Sequence, residues 1–575
     1  MTAGPQPHVL REYALLADGE RGALVGPRGD IGWLCFPRWD SGSVFSSLIG
    51  GRGRYLITPV GRHVWGGYYE AGSLIWCNRW TTEDGIVACQ DALTFTAEGD
   101  RAVLLRRVTA VDGPATLDVE LCPRAEYDRE PLTGLGHRDG TWTGRAGGVW
   151  LRWRCGTGAR SRDGALRLRL HLAAGESRDL VLELGLAEPA GDLPPAAELW
   201  QATEAAWQRE VPELAHCLAP RQARHSYAVL RGLTSASGGM VAAATTSLPE
   251  RAEAGRNYDY RYVWIRDQSY AGQAAAAAGA FGLLDAAVGF VSGRLLVDGD
   301  RLMPAYTSRG EPIPDQRHLR LAGYPGGYDL VGNWVCRQFQ LDAFGEALLL
   351  LAAGARHDRL AAEHWQAAEL AATAIGNRWQ EEDAGIWEID DRAWTHSRLT
   401  AAAGLRALAG VAPRSPASTG WVALADRILA DTDRHALHPS GRWQRSPADP
   451  GLDGALLLPA LRGAVPPDDP RSVATLGGYL AELTLDGYAY RFRHDQRPLP
   501  AAEGSFLLCG FLVALALQQA GQPVEARAWF ERTAAAGGPP QLLSEEFDAE
   551  EHQLRGNLPQ AFVHALLLES AARLA

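Results

Sequence analysis

The spacing of apolar residues changes once along this chain, and that change restricts the fold more than any single motif. Between about residues 53 and 186, short runs rich in Val, Leu, Trp and Thr recur at 54–58, 73–81, 102–111, 115–121, 149–154, 166–172 and 179–186. Apolar and polar positions alternate within them, the pattern of strands with one face buried. Gly, Asp and Pro punctuate many of the gaps, which predicts a large antiparallel β-sandwich. A Pro/Gly-containing bridge at 187–195 leads into a predicted linker helix at 196–210. From about residue 220 the period becomes helical. Ten helices are predicted, at 221–236, 268–294, 337–353, 360–381, 396–408, 420–435, 473–485, 505–520, 523–536 and 559–572. Ten helices with long loops between them suggest paired inner and outer helices, and a closed ring of six pairs needs about twelve. Such a ring collects its inner-helix N-terminal loops at one mouth, so active residues are expected in loops.

Composition narrows the chemistry. The chain has 68 acids against 56 bases, a net charge of −12, and so lacks the basic field of a nucleic-acid binder. It contains no lysine, so all 56 bases are arginine. That excludes a Schiff-base enzyme and a Walker-type phosphate loop. Cys35, Cys77, Cys89, Cys122, Cys155, Cys217, Cys336 and Cys509 form no CxxC pair, and scattered cysteines in a long chain read as reduced thiols. The start of the chain has no cationic segment followed by an apolar run, so a cytoplasmic protein is expected. The apolar run 271–291 is mostly Ala and Gly with Asp285 inside it, which suits a buried helix better than a membrane span. HExxH, GxSxG and zinc-knuckle patterns are absent.

Carboxylates and aromatics in loops remain, the groups glycoside hydrolysis uses. In Asn257-Tyr258-Asp259-Tyr260-Arg261-Tyr262-Val263-Trp264-Ile265-Arg266-Asp267, Arg and Asp side by side can grip vicinal hydroxyls while Trp264 or Tyr260 stacks on a ring; an ion pair capping the next helix is the plainer reading. In Gly385-Ile386-Trp387-Glu388, an acid between apolar neighbours is favoured in its protonated form, which a general acid needs; a surface glutamate after a turn is the plainer reading. In Ser544-Glu545-Glu546-Phe547-Asp548, adjacent acids resist double ionisation, so one of the two glutamates suffices to activate water. A solvated charge run is the alternative.

In this order the segments resemble the bacterial branch of glycoside hydrolase family 15, which includes glucoamylases, glucodextranases and some trehalases. Further matching stretches are Asp30-Ile31-Gly32-Trp33 through Ser41, Gly332-Asn333, Gln338-Phe339-Gln340-Leu341-Asp342, His396-Ser397, Glu503-Gly504-Ser505 and Gly556-Asn557-Leu558-Pro559. The resemblance implies a β-supersandwich over 1–190, a linker helix over 191–219 and an (α/α)6 catalytic barrel over 220–575. It implies an inverting mechanism with Glu388 as general acid and Glu545 as general base, and needs neither cofactor nor metal. Arg266 and Asp267 would hold the non-reducing glucose, with Trp264, Tyr260 and Trp387 lining the pocket and Glu546 beside it.

One stretch departs from the pattern. Many bacterial members carry two arginines before the Gly-Asn pair, whereas here the stretch is Gly323-Tyr324-Pro325-Gly326-Gly327-Tyr328-Asp329-Leu330-Val331-Gly332-Asn333-Trp334. Tyr324 and Asn333 are its candidate substrate contacts, and the change argues mildly against trehalose. The expected substrate is therefore a small soluble α-glucooligosaccharide of maltose or isomaltose type, cleaved from its non-reducing end to β-glucose. Trehalose hydrolysis and a catalytically silent oligosaccharide-binding protein are the alternatives. No nucleic-acid or membrane partner is expected, and the sequence leaves the oligomeric state open. The segment 36–40 is expected to pack between the two domains rather than reach the barrel mouth.

Overall fold

The structure is a computed structural model describing residues 6–95, 99–251, 255–494 and 497–575. Two eight-stranded antiparallel sheets face each other in the N-terminal part. The seven predicted strands are all present, 149–154 unchanged and the others with ends moved by at most three residues. Nine further strands were not foreseen, among them Ala14–Ala17, Gly22–Val25, Asp30–Cys35 and Ser43–Phe45. Every residue of these four is buried, so they carry no apolar–polar alternation. For the first three the cause is that their two faces enter different cores, while Val44 and Phe45 of the fourth both lie inside the sandwich. Ala14, Leu16, Ala23 and Val25 join the interior of the sandwich, whereas Leu15, Ala17, Leu24 and Trp33 join the core of the helical part. The first sheet thus packs on the second sheet with one face and on the core of the helical part with the other. At the centre of the sandwich Arg106 pairs with Asp91 at 2.7 Å and donates to the carbonyls of Tyr55 and Gly29. These contacts give a fully buried charge the partners it needs.

The helix Ala196–Glu210 leads to the second part. There six inner helices form a closed ring, each against the next: Ile265–Ala277, Leu341–Arg356, Thr395–Val411, the short pair Gly454–Leu457 and Leu458–Leu461, Leu507–Gln519, and Ala561–Arg573, which returns to the first. Nearly all their residues are buried, as expected of helices that are apolar all round. Pro220–Leu233, Phe281–Asp298, Ala362–Arg378, Ser418–His435, Pro470–Glu482 and Pro523–Ala534 surround them. Two corrections turn the ten predicted helices into twelve. The expected helix 268–294 is an inner and an outer helix that reverse at Gly279, whose φ of +66° suits glycine; the alanine run hides this turn. The Gly454–Leu461 element is too short for its period to be read.

Leu341–Arg356 and Thr395–Val411 meet backbone to backbone. A Cβ on Gly345 would lie 2.6 Å from the Thr400 carbonyl, and one on Gly404 would lie 2.6 Å from the Gly345 carbonyl. Gly345→Val must push two ring helices apart, and a loss of about 1–3 kcal/mol in denaturant unfolding is expected. Among the described residues, no helix is long and apolar enough to cross a membrane. All eight cysteines are free thiols.

Candidate active site

The loops at the N-terminal ends of the inner helices converge on a cavity of about 450 Å³. Trp264, Arg266 and Asp267 reach it from the start of Ile265–Ala277, where Val263 and Trp264 pair with Ala305 and Tyr306 and so hold the loop extended. Trp387 and Glu388 enter from the loop before Thr395–Val411, with Glu388 in the left-handed backbone region at φ +54°. A non-glycine residue there is strained, which is common where a side chain must be aimed. Glu545 enters from the segment before Ala561–Arg573, fixed by its carbonyl accepting from Leu507 N at 3.0 Å.

The Glu388 carboxyl is not in the apolar setting that its neighbours in sequence suggest. Its Oε1 accepts from Trp264 Nε1 at 2.8 Å, from Arg266 Nη2 at 3.0 Å and from Gln340 Nε2 at 3.0 Å. Ile386 and Trp387 flank it along the chain, but the groups that meet its oxygen come from other loops. Arg266 also donates to Gln340 Oε1 at 2.8 Å and to Asp342 Oδ2 at 3.3 Å, so its guanidinium plane is held on three sides. Burial pushes Asp267 up to about 7, Arg266 opposing and Glu388 adding to the rise. Glu545 Oε2 accepts from Tyr260 Oη at 3.0 Å. Burial raises Glu545 well above the usual carboxylate range, with Glu250 adding to it and Arg491 opposing. Tyr260 touches Trp264 edge to face at 5.6 Å, so the two aromatic rings bridge the two glutamates along one wall.

Three of the expected binding residues are placed differently. Tyr324 is turned out of the cavity, its hydroxyl donating to the His8 carbonyl at 2.8 Å. Glu546 is fully buried behind the wall and accepts from Gly504 N at 2.8 Å, because the strand Glu546–Asp548 alternates its side chains away from Glu545. Asn333 borders the cavity, but its amide is engaged with the Asp259 carbonyl and Val335 N. Asp259 pairs instead with Arg261 at 2.7 Å. The segment 36–40 packs between the domains: Trp39 is buried, and its carbonyl accepts from Arg261.

Sequence reasoning missed Glu250, Arg256, Tyr258, Arg491 and His494, all on the cavity wall. Arg491-Phe492-Arg493-His494 is a legible basic and aromatic cluster, yet nothing in its spacing ties it to the distant glutamates. Glu250 lies only seven residues before Asn257, yet nothing in its stretch ties it to the distant glutamates.

A cavity at the mouth of a six-fold helical barrel, lined by Glu250, Glu388 and Glu545, an Arg–Asp pair and aromatic walls, is that of a glycoside hydrolase. Residues 224–572 match glycosyl hydrolases family 15, and the chain belongs to that family. Residues 2–143 match the trehalase-like N-terminal family. The chain is 30% identical to a trehalase of Mycobacterium tuberculosis, covering 98% of this chain and 89% of that protein. It is 29% identical to a trehalase of Mycolicibacterium smegmatis over 98% and 90% of the two chains. Among solved structures, a bacterial glucoamylase complexed with acarbose superposes with a TM-score of 0.73 at 14% identity, covering 99% of this chain and 95% of that one, a likeness of fold.

Proposed function

We propose that this glycoside hydrolase cleaves α,α-trehalose with inversion at one anomeric carbon. The reading rests above all on the near full-length likeness to proteins named trehalase. The maltose- or isomaltose-type reading leaned on the loop at 323–334. In the structure Tyr324 faces His8 and Asp329 faces His318, so only the end of that loop, Asn333 and Trp334, borders the cavity. Guanidinium groups reach the cavity from Arg256 and Arg491 instead.

In this reading Glu388 gives its proton to the bridging oxygen as the C1–O bond breaks. Water bonds to C1 from the opposite face and passes a proton to Glu545. Arg266 and Asp267 hold the hydroxyls of the attacked glucose, and Trp264 and Trp387 cover its faces. The free carboxyls would stand roughly 6.5–9.5 Å apart to admit that water. Only one glucose of trehalose is attacked. Early proton NMR of the products should therefore show α- and β-glucose in equal amounts, whereas retention would release α-glucose alone. In a panel with maltose and isomaltose, trehalose is expected to have the highest kcat/KM. Turnover of maltose or isomaltose with none of trehalose would return the substrate to the maltose or isomaltose type, and binding without turnover of any of the three would favour the silent protein.

A further inference from the structure

The loop that carries Glu388 is held at its foot by a carboxyl that does not itself line the cavity. Asp383 is fully buried. Its Oδ2 accepts from Gly385 N at 3.0 Å, from Leu341 N at 3.2 Å and from Ser397 Oγ at 2.8 Å. Gly385 opens the turn that leads to Glu388. Leu341 N belongs to the first turn of Leu341–Arg356, where backbone amides have no partner within the helix. Ser397 stands in the first turn of Thr395–Val411. One oxygen thus joins two neighbouring helices of the ring to the loop that bears the acid.

The backbone closes the loop around the same point. Asp383 N donates to the Arg392 carbonyl at 3.0 Å and Arg392 N donates back to the Asp383 carbonyl at 2.9 Å, so residues 384–391 leave and re-enter the wall at one place. Ala384 N donates to the Phe339 carbonyl at 2.9 Å. Gly385 has a φ of +64°, and a Cβ on it would lie 2.7 Å from Trp394 Cδ1, which leaves the turn little room to shift. Gln340, the residue before Leu341, donates to Glu388 Oε1 at 3.0 Å. The Asp383 carboxyl therefore holds both the turn before the acid and the backbone next to one of its donors. Burial pushes Asp383 up to about 7, Asp342 adding to the rise and Ser397 and Arg398 opposing it. A proton would sit on Oδ1, which has no hydrogen-bond partner among the described residues and lies 3.9 Å from Arg398 Nη1. Oδ2 can accept its three bonds in either state, so the place calls for an oxygen rather than a charge.

We propose that Asp383 is a positioning residue that sets the reach of Glu388 to the bridging oxygen, acting through the Gly385 turn and the Gln340–Leu341 junction. This rests on the proposed function above, in which Glu388 protonates the departing oxygen as the C1–O bond breaks. Asp383 touches no substrate and exchanges no proton in that step.

The test compares Asp383→Asn, which keeps an accepting oxygen, with Asp383→Ala, which removes it. Each is assayed on the best glucoside of the wild-type panel and on α-glucosyl fluoride, from which fluoride leaves without a proton. Asp383→Ala should lower kcat on the glucoside by about 10²-fold, the cost of misplacing a catalytic group by about 1 Å, with KM nearly unchanged. Its turnover of the fluoride should stay within about threefold of the wild type, because that substrate does not call on the acid. Asp383→Asn should stay within about threefold on both substrates. Ser397→Ala, which removes one of the three donors at less risk to folding, should show the same selective loss at about threefold. Equal losses on glucoside and fluoride in Asp383→Ala and Ser397→Ala, or an Asp383→Asn as impaired as Asp383→Ala, would overturn the proposal and leave Asp383 as a support of the ring alone. Glu388→Gln is assayed beside them. No recovery on the fluoride there would overturn the reading of Glu388 itself, whereas recovery there but not in Asp383→Ala would overturn only the role of Asp383.

Discussion

Glu388→Gln is expected to lower kcat on trehalose by about 10²–10⁴-fold while KM changes little. Glutamine keeps an oxygen for Trp264, Arg266 and Gln340 to donate to but has no acidic proton for the leaving sugar. Glu545→Gln should lose activity on the same scale for the opposite reason, because an amide cannot take the proton of water. The two losses are separable with α-glucosyl fluoride, whose leaving group departs without protonation. Turnover of the fluoride should recover in Glu388→Gln and stay low in Glu545→Gln. This comparison matters because Glu388 accepts three hydrogen bonds while burial keeps Glu545 high. Recovery in Glu545→Gln alone would exchange the two roles, and wild-type turnover in either variant would remove it from the chemistry.

The largest effect on stability is expected at Arg261. Its Nε and Nη2 hold Asp259 at 2.8 and 2.7 Å, and its Nη1 reaches the carbonyls of Trp39 and Ser41 and the hydroxyl of Tyr127. One buried guanidinium thus joins the loop that carries Tyr260 to the sandwich. Arg261→Met fills similar volume but leaves the Asp259 charge buried without its partner, and a loss of about 3–5 kcal/mol is expected in denaturant unfolding. Adding Asp259→Asn should restore part of it. A loss below about 1 kcal/mol would mean that water reaches Asp259.

The change of period was enough to read the two architectures, since strands half buried and helices half buried each write their geometry into the sequence. Where burial is complete the signal vanishes. Ala14–Ala17 and Gly22–Val25 are covered on both sides, and the turn at Gly279 lies within alanines. The cavity shows the same division. Trp264, Trp387, Glu388 and Glu545 stand in the connections that lead into inner helices, and Arg266 and Asp267 in the first turn of one, so their place at one mouth follows from the ring. Tyr324 and Glu546 stand in equally suggestive stretches, yet a turn and the two-residue period of a strand aim them elsewhere. Glu250 and Arg491 reach the cavity only through the meeting of loops some 240 residues apart, which local patterns do not record.

The three early strands that divide their side chains between two interiors bind the halves of the molecule into one cooperative unit. Removing the N-terminal half would strip the barrel of Leu15, Ala17, Leu24 and Trp33 and leave a broad greasy scar prone to aggregation. Heat or denaturant then has no seam along which to release one half intact, and melting of the β part carries the cavity at the barrel mouth with it.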